Sequence, residues 1–242
     1  MKIRALVVLV TALSLSACQS TLESTMSTIS TAATNVVSNV MSESNEPSQE
    51  NLSKQFRINP ALASQDHLLA AYGTSVILMF TAQEVWLDAM GNEEGAAQLR
   101  TERIALENGS VIDSDAIDRF TELSQETKVL IEETGEKEEA MSDKGKLKFA
   151  AGWVPYLAGL YQTRAVVMKS SDYASEINRS KGNVNSLLSN AKKTLILTTF
   201  VQSSPAFLKV QYDTFGLIMD YAREQDIEIP ADANSVLRDI EL

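Results

Sequence analysis

Few residues in this chain are equipped to do chemistry. There is one cysteine, Cys18, and one histidine, His67. A di-iron centre in a helical bundle needs repeated Glu-x-x-His pairs, and the residue three before His67 is Ser64. A Ser-His-Asp or Cys-His nucleophile would have to use that same His67. No Gly-x-Ser-x-Gly turn presents a serine, and no glycine-rich loop is set to cradle phosphate. Glu132/Glu133 and Glu138/Glu139 are paired carboxylates of the kind that does acid–base work. They stand in a charged run, which reads as a solvated face. The expectation is a non-enzyme with no catalytic residue, no metal and no cofactor.

The least bland segment is 150–168. It combines small residues (Ala150, Ala151, Gly152, Ala158, Gly159), an internal Pro155, the aromatics Trp153, Tyr156 and Tyr161, and a lone Arg164. Small residues let a helix or a ligand approach closely. Proline inside a helix removes one hydrogen bond and clashes with the preceding turn, so a kink or break is expected there. Arg164 in apolar company needs a partner, because an unpaired buried charge is costly. Glu84 is the candidate. Trp153, Pro155, Tyr156, Arg164 and Glu84 together outline a possible groove for an apolar or anionic ligand or a partner helix.

The first residues carry a different signal. Lys2 and Arg4 precede eleven uncharged residues, 5–15. That run is too short to cross a bilayer, which takes roughly 20 apolar residues, and it fits the core of a signal peptide. Leu15-Ser16-Ala17-Cys18 follows. It resembles the lipobox of bacterial lipoproteins. The resemblance covers only the leader. It implies a diacylglycerol on the Cys18 sulfur, cleavage before Cys18 and acylation of the new amine. Two or more acyl chains hold a protein firmly at a membrane. Gln19 stands where inner-membrane lipoproteins commonly carry Asp, so the resemblance implies the outer membrane, facing the periplasm.

Cleavage removes two cations and no acid, taking the net charge from −11 to −13. Such a surface repels nucleic acid and anionic headgroups, whose binding rests on Lys and Arg. With Cys18 lipidated, no thiol remains for a disulfide or a metal.

Five Pro, ten Gly and scarce alternating β-branched runs favour helices. The domain organisation expected is a signal peptide over 1–17, a lipidated Ser/Thr-rich tether over 18–58 and a helical domain over 59–242. Within the tether, Leu22, Met26, Ile29, Ala33, Val36 and Val40 make a heptad-like stripe. The tether is therefore either disordered or partly helical. In the domain, Asn59-Pro60, Asn92, Asp113, Ser142, Asp172 and Ser204-Pro205 read as helix starts. The residues 149–160 are apolar nearly all round and should form a central helix. A short amphipathic stretch, 234–240, closes the chain. The fold class is all-α, an antiparallel bundle of about five to six helices. The function expected is that of an accessory or scaffold lipoprotein with an envelope protein partner. The alternative is a carrier or sensor of an apolar ligand near Pro155.

Overall fold

The computed structural model describes residues 58–136, 140–179, 187–231 and 233. The leader, Cys18, the tether apart from Ile58, Glu138/Glu139 and the stretch 234–240 lie outside the described residues. The rest is an all-α bundle: α1 (His67–Ala89), α2 (Glu93–Glu107), α3 (Ser114–Gly135), α4 (Asp143–Ala150), α5 (Trp153–Arg179) and α6 (Leu187–Glu224).

Side-chain caps set most of the starts. The carboxylates of Asp66 and Asp113, the amide oxygen of Asn92 and the Ser142 hydroxyl accept from Leu68, Ala116, Gly95 and Gly145 N–H groups. Gly91 and Gly109 end α1 and α2 at φ of +83° and +86°, a conformation that costs residues with a Cβ.

Cross-contacts give the helix directions. Gln162 and Thr163 of α5 reach Ala71 and Ser75 of α1, while Trp86 meets Phe149 and Gly152 near the start of α5. Those two helices are antiparallel. Glu84 meets Arg100 and Arg103, so α1 and α2 are antiparallel as well. Asn92 meets Thr134 and Glu102 meets Arg119, so α2 and α3 are too. The pair α3 and α6 differs. Ser114 pairs with Thr199, Asp118 with Ser203 and Ser124 with Gln211, so these two run parallel. Five long helices alternating in direction around a ring α2–α1–α5–α6–α3 must bring two like-directed neighbours together, and this is where they meet.

Three expectations are corrected. Asn59-Pro60 opens only the short 3-10 turn Pro60–Leu62, and the first α-helix waits until His67. The Gln65 side chain between them clamps the chain near Ser110, donating to the Ser110 carbonyl and accepting from Ile112 N–H at 2.9 Å each. Asp172 starts nothing, since α5 runs through it to Arg179. Ser204-Pro205 does not divide α6, which passes straight through. Phe200 and Phe207, on either side of the proline, both pack edge-on against Tyr72 at 4.8 and 5.5 Å. That burial spans the lost backbone bond, and Pro205 itself faces solvent. In α1 sixteen of the 23 residues are buried. It is long and apolar enough to cross a bilayer, but 78% of that stretch is buried inside the protein. The stretch 149–160 packs beside it and is central as its apolar pattern predicts, with nine of its twelve residues buried and Val154 at 41% exposure.

Candidate functional site

Pro155 lies in the first turn of α5, where its missing N–H is no loss. The expected break falls just before it, at Ala151-Gly152. Gly152 is needed there. A Cβ on it would sit 2.3 Å from Trp86 Nε1, and one on Gly159 would sit 2.7 Å from Met79 Cγ and 2.8 Å from the Ser75 carbonyl oxygen. The small residues of 150–168 therefore admit α1, and α1 fills the space beside them.

Trp153 and Tyr156 are fully buried in that contact. Trp86 lies 5.5 Å from Trp153 and 4.7 Å from Tyr156, ring centre to ring centre, and Phe215 of α6 stacks on Tyr156 at 5.7 Å. Trp86 Nε1 donates to the Phe149 carbonyl at 2.9 Å, which ties α4 to α1. The groove expected at Trp153, Pro155 and Tyr156 is thus a packed aromatic junction of α1, α4, α5 and α6.

Glu84 and Arg164 do not meet. Glu84 accepts from Arg100 Nε at 2.7 Å and Arg103 Nε at 3.0 Å, both on α2. Arg103 also grips Glu107 at 2.8 Å. The reason is position. Glu84 lies on the α2 side of α1, whereas α5 packs on another. Arg164 is half-buried on the outer flank of α5 and pairs with no acid among the described residues.

One polar feature was only partly legible in the sequence. At the bundle centre, Gln83 Nε2 donates to Gln211 Oε1 at 2.9 Å, and Gln211 Nε2 donates to Ser124 Oγ at 2.8 Å. The Tyr156 hydroxyl donates to the Gln211 backbone carbonyl at 2.6 Å and lies 2.9 Å from its Oε1. Ser124 Oγ in turn donates to the Phe120 carbonyl at 2.7 Å. Gln83, Ser124, Tyr156 and Gln211 are all at 0% exposure. The set joins α1, α3, α5 and α6. Its signal in the sequence was polar residues on core spacings. Gln83 stands three after Phe80 and three before Trp86, and Gln211 stands midway between Phe207 and Phe215.

This arrangement is poor at proton chemistry. Burial pushes the Tyr156 phenol well above its ordinary range, against a smaller opposing effect of a hydrogen bond with Gln83. Amides do not titrate. A network of this kind fixes which helix faces which, since any other register strands its members in the core. Gln83 Oε1 and Trp153 Nε1 are buried without a partner among the described residues.

No family model, curated protein or solved structure matches this chain.

Among the described residues the surface depressions include two shallow ones. One, of about 350 Å³, runs between α2 and α3 and is lined by Gln98, Glu102, Arg119, Glu122 and Glu126. The other, of about 200 Å³, lies at the bundle end beside Met90, Thr134, Met141 and Tyr221. Glu132 and Glu133 point to solvent. Among the described residues no three His, Cys, Asp or Glu side chains converge to hold a metal ion. His67 is the first residue of α1, and its Nδ1 is buried without a partner among the described residues.

Proposed function

We propose that the chain is a non-enzymatic accessory lipoprotein of the bacterial envelope. Lipid on Cys18 holds it at the outer membrane, facing the periplasm, and it acts by binding another envelope protein through its helical surface. The observation that carries the anchor is the order of Lys2 and Arg4, the apolar run 5–15 and Leu15-Ser16-Ala17-Cys18. The observation that favours binding over chemistry is where the polar side chains sit. Among the described residues the central ones are amides, a hydroxyl and a phenol held by one another, and no ionised side chain is fully buried.

The anchor is tested by intact mass of the protein recovered from bacterial membranes. The expected mass is that of a chain beginning at Cys18 plus a glyceride and an acyl chain, and Cys18→Ala should abolish both cleavage and membrane retention. A chain retaining residues 1–17, or an unmodified Cys18, would refute the anchor. The binding role is tested by mild cross-linking in membranes. One protein should be recovered at a fixed ratio, and charge reversal on a single helix face should remove it. Products that scatter over many proteins and survive every surface reversal would count against a dedicated partner.

A further inference from the structure

The net charge is concentrated on two neighbouring helices. Residues 93–136, which span α2 and α3, carry twelve acids and four cations, so −8 of the chain's −11. The fold occupies all four cations. Arg100 and Arg103 hold Glu84 of α1, Arg119 holds Glu102 at 3.0 Å, and Lys128 lies 3.7 Å from Asp213 of α6. Asp115, Glu122, Glu126 and Glu133 are exposed, and among the described residues they enter no ion pair.

These four acids border a groove. Glu122 and Glu126 line the depression of about 350 Å³ between α2 and α3. Asp115 stands seven residues before Glu122 and Glu133 seven after Glu126, so they continue the same line along α3. The line is about 27 Å long at about 1.5 Å per residue. The half-buried Leu123 lies in the depression, and the α2 lip offers Gln98 and Thr101, both exposed and uncharged. Arg119, already bound to Glu102, is its one cation.

We propose that the α2–α3 groove receives a cationic amphipathic helix of another envelope protein, with Lys or Arg side chains on Asp115, Glu122, Glu126 and Glu133 and an apolar edge on Leu123. This names the partner surface of the accessory reading above and rests on it. Charge complementarity selects the occupant. The terminal segments outside the described residues fit poorly, since 18–57 carries four acids and two cations and 232–242 three acids and one cation. A second copy brings the same net −11. An unneutralised row of carboxylates draws and orients a partner of opposite sign. A partner helix repeats its side chains at the same steps as α3, so its cations stay in register with all four acids.

The test uses the chain from residue 18 carrying Cys18→Ser, which keeps every described residue. The probe is a synthetic helical peptide of about 18 residues, about 27 Å long, with lysines on one face and leucine and alanine on the other. Binding is read from backbone amide NMR shifts. They should be confined to α2 and α3, and affinity should fall as salt rises. Glu122→Gln with Glu126→Gln should weaken binding about tenfold. Gln98→Trp fills the depression at unchanged charge and should weaken it severalfold. Asp143→Asn with Glu228→Gln removes the same charge away from the groove and should leave binding unchanged. Circular dichroism checks that each variant keeps its helices. No binding at low salt would overturn the proposal, as would shifts spread over the whole surface or equal losses from the two charge-matched pairs. So would a dimer that forms through α2 and α3 and excludes the peptide, which would assign the groove to a second copy. In membranes, Glu122→Lys with Glu126→Lys in the full chain should remove the cross-linked partner. A partner that stays on this variant and is lost on reversal of another face would refute the groove and leave the accessory reading standing.

Discussion

Replacing Gln211 with alanine should be among the more damaging single changes available in this core. The side chain accepts from Gln83 Nε2 at 2.9 Å and donates to Ser124 Oγ at 2.8 Å. Tyr156 and Ser124 survive its loss, because the phenol keeps the residue 211 backbone carbonyl at 2.6 Å and the serine keeps the Phe120 carbonyl. Gln83 does not. Its Oε1 already lacks a partner among the described residues, so the whole amide would be stranded in the core, at about 1–3 kcal/mol. The void left by the shortened side chain adds on the order of 1 kcal/mol, at about 24 cal/mol per Å³ of cavity. The expected loss is about 2–4 kcal/mol, a large share of the roughly 5–15 kcal/mol that holds a domain together. Urea unfolding reads it directly. Both tryptophans, Trp86 and Trp153, are buried beside the network, so their fluorescence should follow the helical signal. The decisive variant is Gln83→Leu with Gln211→Leu, which removes both amides at similar volume. It should cost less than the sum of the two single leucine changes by about 1–3 kcal/mol. If Gln211→Ala costs under about 1 kcal/mol, or the leucine pair is additive, the network does not hold the helices in register and the reasoning fails.

Other consequences follow from the same packing. Burial, aided at Tyr72 by the Asp118 charge, raises the phenols of Tyr72 and Tyr156 above their ordinary 10.0, so the folded state favours their neutral form. Stability should therefore be intact below pH 10 and fall as pH rises beyond it, by up to roughly 1.4 kcal/mol per phenol per pH unit. Absorbance titration should show these two ionising only together with loss of helix, and early ionisation of all six tyrosines in a folded chain would contradict their burial. Pro205→Ala restores a backbone donor in the middle of α6 on its exposed face and should stabilise by as much as about 3 kcal/mol, read as a higher urea midpoint; a destabilised variant would mean that the helix depends on its proline. Gly152→Ala drives a methyl into the Trp86 ring and should cost about 1–3 kcal/mol or more, with a shift in tryptophan emission that a solvent-facing Gly152 would not produce.

The parts of this fold legible in the sequence are those fixed by neighbours in the chain. Asn92, Asp113 and Ser142 cap helices because a short polar side chain reaches N–H groups two or three residues on, and that needs no knowledge of tertiary structure. The same local rule misplaced a helix start at Ser204-Pro205. A proline costs a few kcal/mol locally, and two phenylalanines closing on Tyr72 from either side outweigh it; nothing near residue 205 in the chain announces Tyr72. Pairing Glu84 with Arg164 failed in the same way. Charge alone suggests that pair, but α5 meets α1 on the face where Gly152 and Gly159 let two backbones approach, and Glu84, on another face, meets Arg100 and Arg103. Trp153 and Tyr156 serve packing. They fill the junction with α1 and close it to a ligand. What that segment leaves over is its outer side. Arg164 was expected to need a partner, and the fold supplies none among the described residues.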